Sequence, residues 1–325
     1  MSNRSRIYKE LSSAQIESIL KDAFDEQTVL KSYRKSLGGC FNTTYFVESD
    51  RPNRKLILRV APIRQELLLD YEIDMMKSEP VVYQMIADAG VPVSKTVKFD
   101  DSHNIINRDY IMIDYIDAIS YSSPDFPRES APQIEYELGL YTRKIHSIKG
   151  NAFGWVAPDG SAKGDFKTWY EVVISFVNEF AEKFARYNLL DDDAIKKFVD
   201  FFVKNEYVFD INKPGYDGAP SLTHNDLWAP NILVSNVSGE WHIAAIIDAD
   251  RAMYADREYE FCLWGDDDTL KKGYGIPLDM SEDGKLKRLG YALMLDAHNM
   301  YVSKVEYDDD VEYERQKENI LNKLR

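Results

Sequence analysis

The stretch Leu222–Val234, LTHNDLWAPNILV, decides how the rest of the chain is interpreted. It sets His224, Asp226 and Asn231 at spacings of two and five residues, just ahead of a short apolar run. Alone, such a stretch is as readily a polar turn between two strands as a catalytic loop, because a histidine–x–aspartate motif often occurs by chance. Partners elsewhere in the chain have to decide between the two interpretations.

The first partner is Asp248, which ends the apolar segment WHIAAIID. If ILV and this segment form a hairpin, Asn231 and Asp248 come to lie side by side. Carboxylate and amide oxygens together suit Mg²⁺, and Asp226 would face the same space as a proton acceptor. Phosphoryl transfer needs such a metal and such a base. The combination favours a catalytic loop, in which His224 is expected to brace the backbone by hydrogen bonds.

The wider pattern predicts an α+β protein of two lobes. Four segments have the β-branched and aromatic content of strands: TTYFVES, KLILRVA, VPVSKTVKFD and DYIMIDYI. Helices are predicted over residues 11–31, 64–76 and 78–89, and the pattern after Tyr115 is mainly helical with one inserted hairpin. Strands and helices cluster instead of alternating. We therefore predict an N-terminal lobe over 1–112, a hinge over 113–117 and a helical C-terminal lobe over 118–325.

Composition narrows the classes of partner. Asp and Glu number 55 against 40 Lys and Arg, a formal charge of −15, which disfavours nucleic acid and anionic membranes as partners. Cys40 and Cys262 lie far apart, which is typical of a reducing cytoplasm. No apolar run approaches the roughly 20 residues of a membrane span, and no signal peptide is recognised. We expect a cytoplasmic protein with a small-molecule substrate; its oligomeric state stays open.

HNDLWAPN together with IIDAD resembles the aminoglycoside phosphotransferase, or choline kinase-like, family, which shares the protein-kinase fold. The likeness extends over nearly the whole chain, through LGGCFNTTYFVES, KLILRVAP, EPVVYQMIADAGVPVS and YIMIDYI. It implies a protein-kinase-like fold and an ATP- and Mg²⁺-dependent kinase that phosphorylates a hydroxyl group. It also implies that Asp226 is the catalytic base, that Asn231 and Asp248 bind Mg²⁺, and that Asp250 adds an outer or second-metal contact.

The same resemblance implies a nucleotide site. It comprises a phosphate loop, a basic residue with its acidic partner, and a hinge that holds adenine: Gly38, Gly39, Asn42 and Thr43; Arg59 and Glu79; Ile113, Asp114, Tyr115 and Ile116. Arg59 stands where many relatives have Lys, and Arg keeps its charge and can fork onto phosphate. Glu66 and Glu72 are alternatives to Glu79, which is favoured by its spacing to the segment GVPV.

The acceptor is harder to derive. Glu260, Asp266 and Asp267 could bind a cationic substrate, although charge at a helix start or plain solvent exposure explains them equally well. Trp228 could form a wall of the pocket. An aminoglycoside or similar aminosugar is the first expectation. A choline-, sugar- or homoserine-type metabolite kinase and a nucleotide-binding pseudoenzyme are the alternatives, and the intact Asp226 argues against the last.

Overall fold

The computed structural model describes residues 5–36, 41–212, 218–264 and 267–325. Its N-terminal part is a five-stranded antiparallel sheet in the order β1-β2-β3-β5-β4. The strands are β1 (Val29–Lys35), β2 (Thr43–Asp50), β3 (Arg54–Val60), β4 (Thr96–Asp100) and β5 (Tyr110–Asp114). Helix α1 (Ser13–Ala23) packs its apolar face on this sheet, and α2 (Glu79–Asp88) lies between β3 and β4 in the chain. All four strands expected from composition are present.

Two predicted helices differ from the structure. The helix expected over 11–31 ends at Ala23, and β1 follows it as an edge strand whose side chains are mostly exposed. The helix expected over 64–76 is replaced by the 3₁₀ turns Gln65–Leu67, Asp70–Glu72 and Met75–Lys77. Arg64 and Asp74 have φ angles of 63° and 69°, and these left-handed residues interrupt a continuous helix.

The C-terminal part is mainly helical, as the sequence predicts. Its helices are α3 (Ala131–His146), α4 (Trp169–Tyr187), α5 (Asp192–Lys204), α6 (Asp268–Tyr274), α7 (Glu282–Tyr301) and α8 (Asp310–Lys323). Its strands are β6 (Ile119–Ser120), β7 (Phe153–Val156), β8 (Ala162–Phe166), β9 (Ser221–Thr223), β10 (Ile232–Val237), β11 (Glu240–Ile246) and β12 (Met253–Ala255). They form two small sheets, β11-β10-β6 and β8-β7-β12-β9.

In the largest apolar core, α4 packs against β7 and β8 of one small sheet. Thr168 caps α4 by accepting the N–H of Glu171 at 3.2 Å, and the apolar stripe from Trp169 through Phe176 to Phe184 is buried. Burying such side chains supplies most of the stabilisation, at roughly 25 cal/mol per Å² of apolar surface. α7 packs against α4 in the same core.

Across the described ranges, every helix is either too short or too polar to cross a membrane.

Candidate active site

The loop between β9 and β10 brings the predicted catalytic residues together. The Asn231 side-chain amide donates to the Asp226 carboxylate at 2.8 Å and to its backbone carbonyl at 3.0 Å. The Asn231 carbonyl accepts the N–H of Ile247 at 3.0 Å, at the point where β10 pairs with β11. The hairpin therefore sets Asn231 next to the residue that precedes Asp248, as its sequence spacing predicts.

Glu260 fixes the backbone of this loop by two hydrogen bonds. Its side chain is 2% exposed, and its two oxygens accept the backbone N–H of His224 at 2.6 Å and of Asn225 at 2.9 Å. The expectation that Glu260 contacts a cationic substrate does not fit this buried position, since the carboxylate already serves the loop. His224 takes part through its backbone N–H. Its ring is buried, and burial lowers the pKa of the imidazole, so the ring is neutral.

Arg59 joins the N-terminal sheet to the acids after β11. Its guanidinium donates to Glu79 and Asp248, and to Asp250 at 2.9 Å. Among the three candidate partners, Glu79 is the one that contacts Arg59. Glu66 is exposed beside Arg64 at 3.0 Å, and Glu72 is buried against Arg251 at 3.0 Å.

The phosphate-loop candidates occupy different places. Asn42 donates to Asp250 at 3.0 Å, which links the start of β2 to the acid cluster. Thr43 is buried and donates its hydroxyl to the Lys9 carbonyl at 3.3 Å. Gly38 and Gly39 lie outside the described residues. Asn42 is therefore the described member of this set that faces the other candidate site residues.

The predicted adenine hinge begins in the last two residues of β5 and continues past the end of this strand. Ile113 and Asp114 are paired within the sheet, and the Asp114 carboxylate is bound by Arg54. The Tyr115 N–H donates to the Lys55 carbonyl at 3.2 Å, and the Ile116 carbonyl accepts the N–H of Ala118 at 2.9 Å. These contacts fix the backbone of the segment that joins the N-terminal sheet to β6.

Negative charge accumulates around Asp226. Burial, and then the neighbouring Asp248, raise the pKa of Asp226 well above its usual range, while the hydrogen bond from Asn231 opposes this shift. Burial raises the pKa of Asp248 to about 6, against the opposing effect of Arg59. The acids at this place therefore exceed the cations that face them. A divalent cation would relieve that excess, and the oxygens of Asp248, Asp250 and Asn231 are of the kind that Mg²⁺ binds.

A profile of the phosphotransferase enzyme family matches residues 33–270, which is most of the chain. The chain belongs to this family. Family membership makes the protein a phosphotransferase. A search of curated protein sequences finds no significant match.

Solved structures share the fold of this phosphotransferase at low sequence identity. A thermostable mutant of aminoglycoside phosphotransferase APH(4)-Ia, in a ternary complex with AMP-PNP and hygromycin B, is 16% identical with a TM-score of 0.67; the match covers 95% of this chain and 98% of that one. The gentamicin–APH(2")-IIa complex is 14% identical, with a TM-score of 0.64 and 97% coverage of each chain. A putative fructosamine-3-kinase from Thermobifida fusca YX-ER1 is 14% identical, with a TM-score of 0.65 and coverage of 96% and 100%. This likeness confirms the predicted protein-kinase-like fold.

A cavity of about 240 Å³ opens beside Asp226 in the phosphotransferase. Its lining includes Trp228, as expected, and four residues that the sequence did not single out: Tyr71, Trp155, Arg251 and His298. They come from four distant segments, so no local spacing marked them. Arg251 is the one of the four that the sequence could have indicated, because it directly follows the predicted site residue Asp250.

The two described acids expected to attract a cationic acceptor, Glu260 and Asp267, have other roles. Asp267 caps α6 of the phosphotransferase by accepting the N–H of Leu270 at 2.8 Å, which is the helix-start role that the sequence left open. Asp266 lies outside the described residues. Neither Glu260 nor Asp267 lines the cavity beside Asp226.

Proposed function

We propose that the protein transfers the γ-phosphoryl group of ATP, in the presence of Mg²⁺, to a hydroxyl group of a small molecule. The observation that carries the proposal is the convergence of Arg59 from β3 with Asp248 and Asp250, next to the loop that joins Asn231 to Asp226. A cation for phosphate, oxygens for a metal and a carboxylate for the acceptor proton then lie in one place.

Each side chain has a distinct task in this proposal. Asp226 accepts the proton of the acceptor hydroxyl as its oxygen bonds to the γ-phosphorus and the bond to ADP breaks. Asn231 keeps the Asp226 carboxylate turned toward the acceptor through the 2.8 Å hydrogen bond. Arg59, oriented by Glu79, binds phosphate oxygens. Asn231, Asp248 and, as an outer contact, Asp250 would hold Mg²⁺, which neutralises charge on the phosphate oxygens.

The nucleotide would bind between the N-terminal sheet and the acid cluster. Residues 113–116 would meet adenine, and Asn42 would meet phosphate after leaving Asp250. ATP as the donor is supported by the solved relative that holds AMP-PNP. An aminoglycoside acceptor is supported by the relatives with hygromycin B and gentamicin, but two of the acids that the sequence suggested for it are engaged elsewhere: Glu260 braces the loop and Asp267 caps α6.

Turnover with Mg-ATP across a panel of hydroxyl compounds tests the proposal. Wild type should release ADP only when an acceptor is present, and Asp226→Asn should lower kcat by about 10²–10⁴-fold because the proton acceptor is lost. Mg-ATP binding, followed as a thermal shift, should survive this change. Acceptor-dependent ADP release that Asp226→Asn leaves intact would refute the base assignment. Mg-ATP binding without any turnover would favour a binding module.

A further inference from the structure

The cavity beside Asp226 has almost no negative charge of its own. Among the described residues that line it, Asp226 is the single acid and Arg251 the single guanidinium. Asp226 is needed for the acceptor hydroxyl under the proposed function, so no carboxylate of the lining is left for an ammonium group. A molecule with several amines would bring its charges next to Arg251 without meeting a counter-ion.

The groups behind the lining do not change this balance. Arg251 is held by the buried Glu72 at 3.0 Å, which offsets its charge. Glu306 lies beside Glu72, and burial, followed by the charge of Glu72, raises the pKa of Glu306 well above its usual range, which favours its neutral form. Burial, and then Arg251, lower the pKa of His298 to about 4, so the imidazole is neutral at pH 7. Among the described residues, the wall therefore presents Arg251 as its one cation, partly offset by Glu72 behind it.

Aromatic surface dominates the rest of the lining. Six of its fourteen residues are aromatic, and three more are Leu or Met. The rings of Tyr71 and Trp155 are stacked at 4.4 Å with an angle of 13° between their planes, and the Phe176 ring lies 5.5 Å from Trp155. Stacked and tilted rings of this kind offer flat apolar faces to a ligand ring. Such a lining favours the burial of a ring. The same ring faces also attract cations, and the charge of Arg251 in the lining opposes that attraction.

The size of the cavity points the same way. Its volume of about 240 Å³ lies below the ~300–1,000 Å³ typical of ligand pockets. A compact compound of one ring fits this space, whereas an aminoglycoside of several linked rings would extend far outside it.

Resting on the proposed function, we propose that the acceptor is a compact hydroxyl compound with a flat or apolar ring and no net positive charge. Its ring packs against Tyr71, Trp155 and Phe176, and its hydroxyl reaches Asp226. Arg251 disfavours cationic analogues. The class excludes polycationic aminosugars and quaternary ammonium alcohols.

Binding of matched alcohols to wild type tests the acceptor class apart from catalysis, because AMP-PNP does not transfer its terminal phosphoryl group. Benzyl alcohol and 4-(aminomethyl)benzyl alcohol share a ring and a hydroxyl and differ by one ammonium group. Calorimetric titration in the presence of Mg-AMP-PNP should show the uncharged member bound at least tenfold more tightly. Gentamicin and choline should bind more weakly than the uncharged member.

Tighter binding of the aminated member, of gentamicin or of choline would overturn the proposal, and so would a failure of the uncharged member to bind at millimolar concentration. Turnover with wild type is then scored separately. If uncharged alcohols bind preferentially but no bound compound is phosphorylated, the proposed phosphotransfer is refuted, and the proposed class of bound ligand is retained.

Two variants link the preference to the lining. Trp155→Leu should weaken binding of benzyl alcohol by about 3- to 10-fold through loss of ring contact, without changing the thermal shift caused by Mg-AMP-PNP. Tyr136→Leu removes an exposed aromatic ring outside the cavity and should leave both readouts unchanged. Arg251→Met should reduce the discrimination between the two alcohols. Unchanged discrimination in Arg251→Met would remove the electrostatic basis of the proposal.

Discussion

A carboxylate outside the catalytic loop controls its backbone. Glu260 accepts two successive N–H groups, those of His224 and Asn225, from a position that solvent barely reaches. Asn225 has a φ angle of 61°, so the chain turns sharply just before Asp226. Two hydrogen bonds to a charged acceptor, each contributing roughly 1.5–3 kcal/mol, can hold such a turn.

Replacing Glu260 by Gln should therefore misplace Asp226. We expect kcat to fall by about 10–100-fold, because a shift of about 1 Å in a catalytic group can cost 10²-fold, while the affinity for Mg-ATP changes little. Steady-state kinetics and calorimetric nucleotide binding measure the two effects. Glu282→Gln, at a side chain that is 90% exposed, is the control. A lower melting temperature with unchanged kcat would limit Glu260 to a structural role.

His298 should make the stability of the protein depend on pH. Burial, and then Arg251, hold the pKa of His298 at about 4, whereas an unfolded histidine has a pKa near 6.5. Between these values the unfolded chain binds the proton and the folded protein does not. Stability is therefore lost as pH falls from about 6.5 toward 4, at no more than about 1.4 kcal/mol per pH unit from this group.

Urea unfolding at several pH values measures this effect. His298→Gln should flatten the stability profile between pH 4 and 6.5. His242→Gln, at a side chain that is 42% exposed, should leave the slope in place. Equal slopes in wild type and His298→Gln would contradict the assignment.

The sequence predicted the residues of this site unevenly, for a physical reason. Asp226, Asn231 and Asp248 belong to one loop and one hairpin, so their proximity follows from local spacing. Tyr71 and His298 come close only through the packing of distant segments, at 2.7 Å between the Tyr71 hydroxyl and the imidazole. Whether a carboxylate such as Glu260 is buried also depends on that packing, which the spacing of residues along the chain does not reveal.

At the scale of elements, α3 and α6 approach each other through two glycines. A Cβ on Gly139 would lie 2.2 Å from the Leu270 carbonyl oxygen, and one on Gly273 would lie 2.0 Å from the carbonyl oxygen of Tyr136. Both neighbours are backbone atoms, which cannot turn aside as a flexible side chain can. The two helices therefore touch along their backbones.

Gly139→Ala should separate the helices and destabilise the protein by roughly 1–3 kcal/mol through overpacking. Thermal and urea unfolding measure the loss. Leu140→Ala, at the next and 41% exposed position of α3, should cost much less. A Gly139→Ala protein as stable as wild type would show that α6 can move away without loss.

Two predicted helices were wrong, because the apolar spacing was uninformative in one segment and misleading in the other. β1 is an edge strand with the sequence VLKSYRK, which shows no alternation of apolar and polar residues. Residues 64–76 do have helix-like spacing, but Arg64 and Asp74 adopt left-handed φ angles that the spacing cannot reveal. The long helices α3, α4 and α5 were recognised because each has an extended apolar stripe.

At the scale of the whole molecule, Arg59 is the charged link between the N-terminal sheet and the acids after β11. Glu79 is fully buried, and burial raises the pKa of Glu79 to about 8 even beside Arg59, so removing Arg59 alone leaves a buried acid that must take up a proton or remain an unpaired charge. We expect Arg59→Met to cost about 3–5 kcal/mol. The double variant Arg59→Met/Glu79→Gln should lose less than the sum of its two single variants, because the stranded charge is gone.

Far-UV circular dichroism during urea unfolding is the suitable readout, since all five tryptophans occur at position 155 or later and report on the C-terminal part. The ion pair of Lys35 with Glu10 at 2.8 Å is a surface comparison, where coupling should stay below about 1 kcal/mol. Additive losses at Arg59 and Glu79 would contradict a coupled pair.

Without nucleotide, the acids proposed to bind Mg²⁺ already accept hydrogen bonds from donors inside the molecule. Asp248 and Asp250 accept from Arg59, and Asp250 also accepts from Asn42 at 3.0 Å. A free metal ion would have to displace these donors and leave Arg59 without a counter-ion. An ion that arrives with a triphosphate brings anionic oxygens to which Arg59 and Asn42 can turn. We therefore expect nucleotide and metal to bind together, and we expect Mg²⁺ alone to bind only weakly to the enzyme without nucleotide.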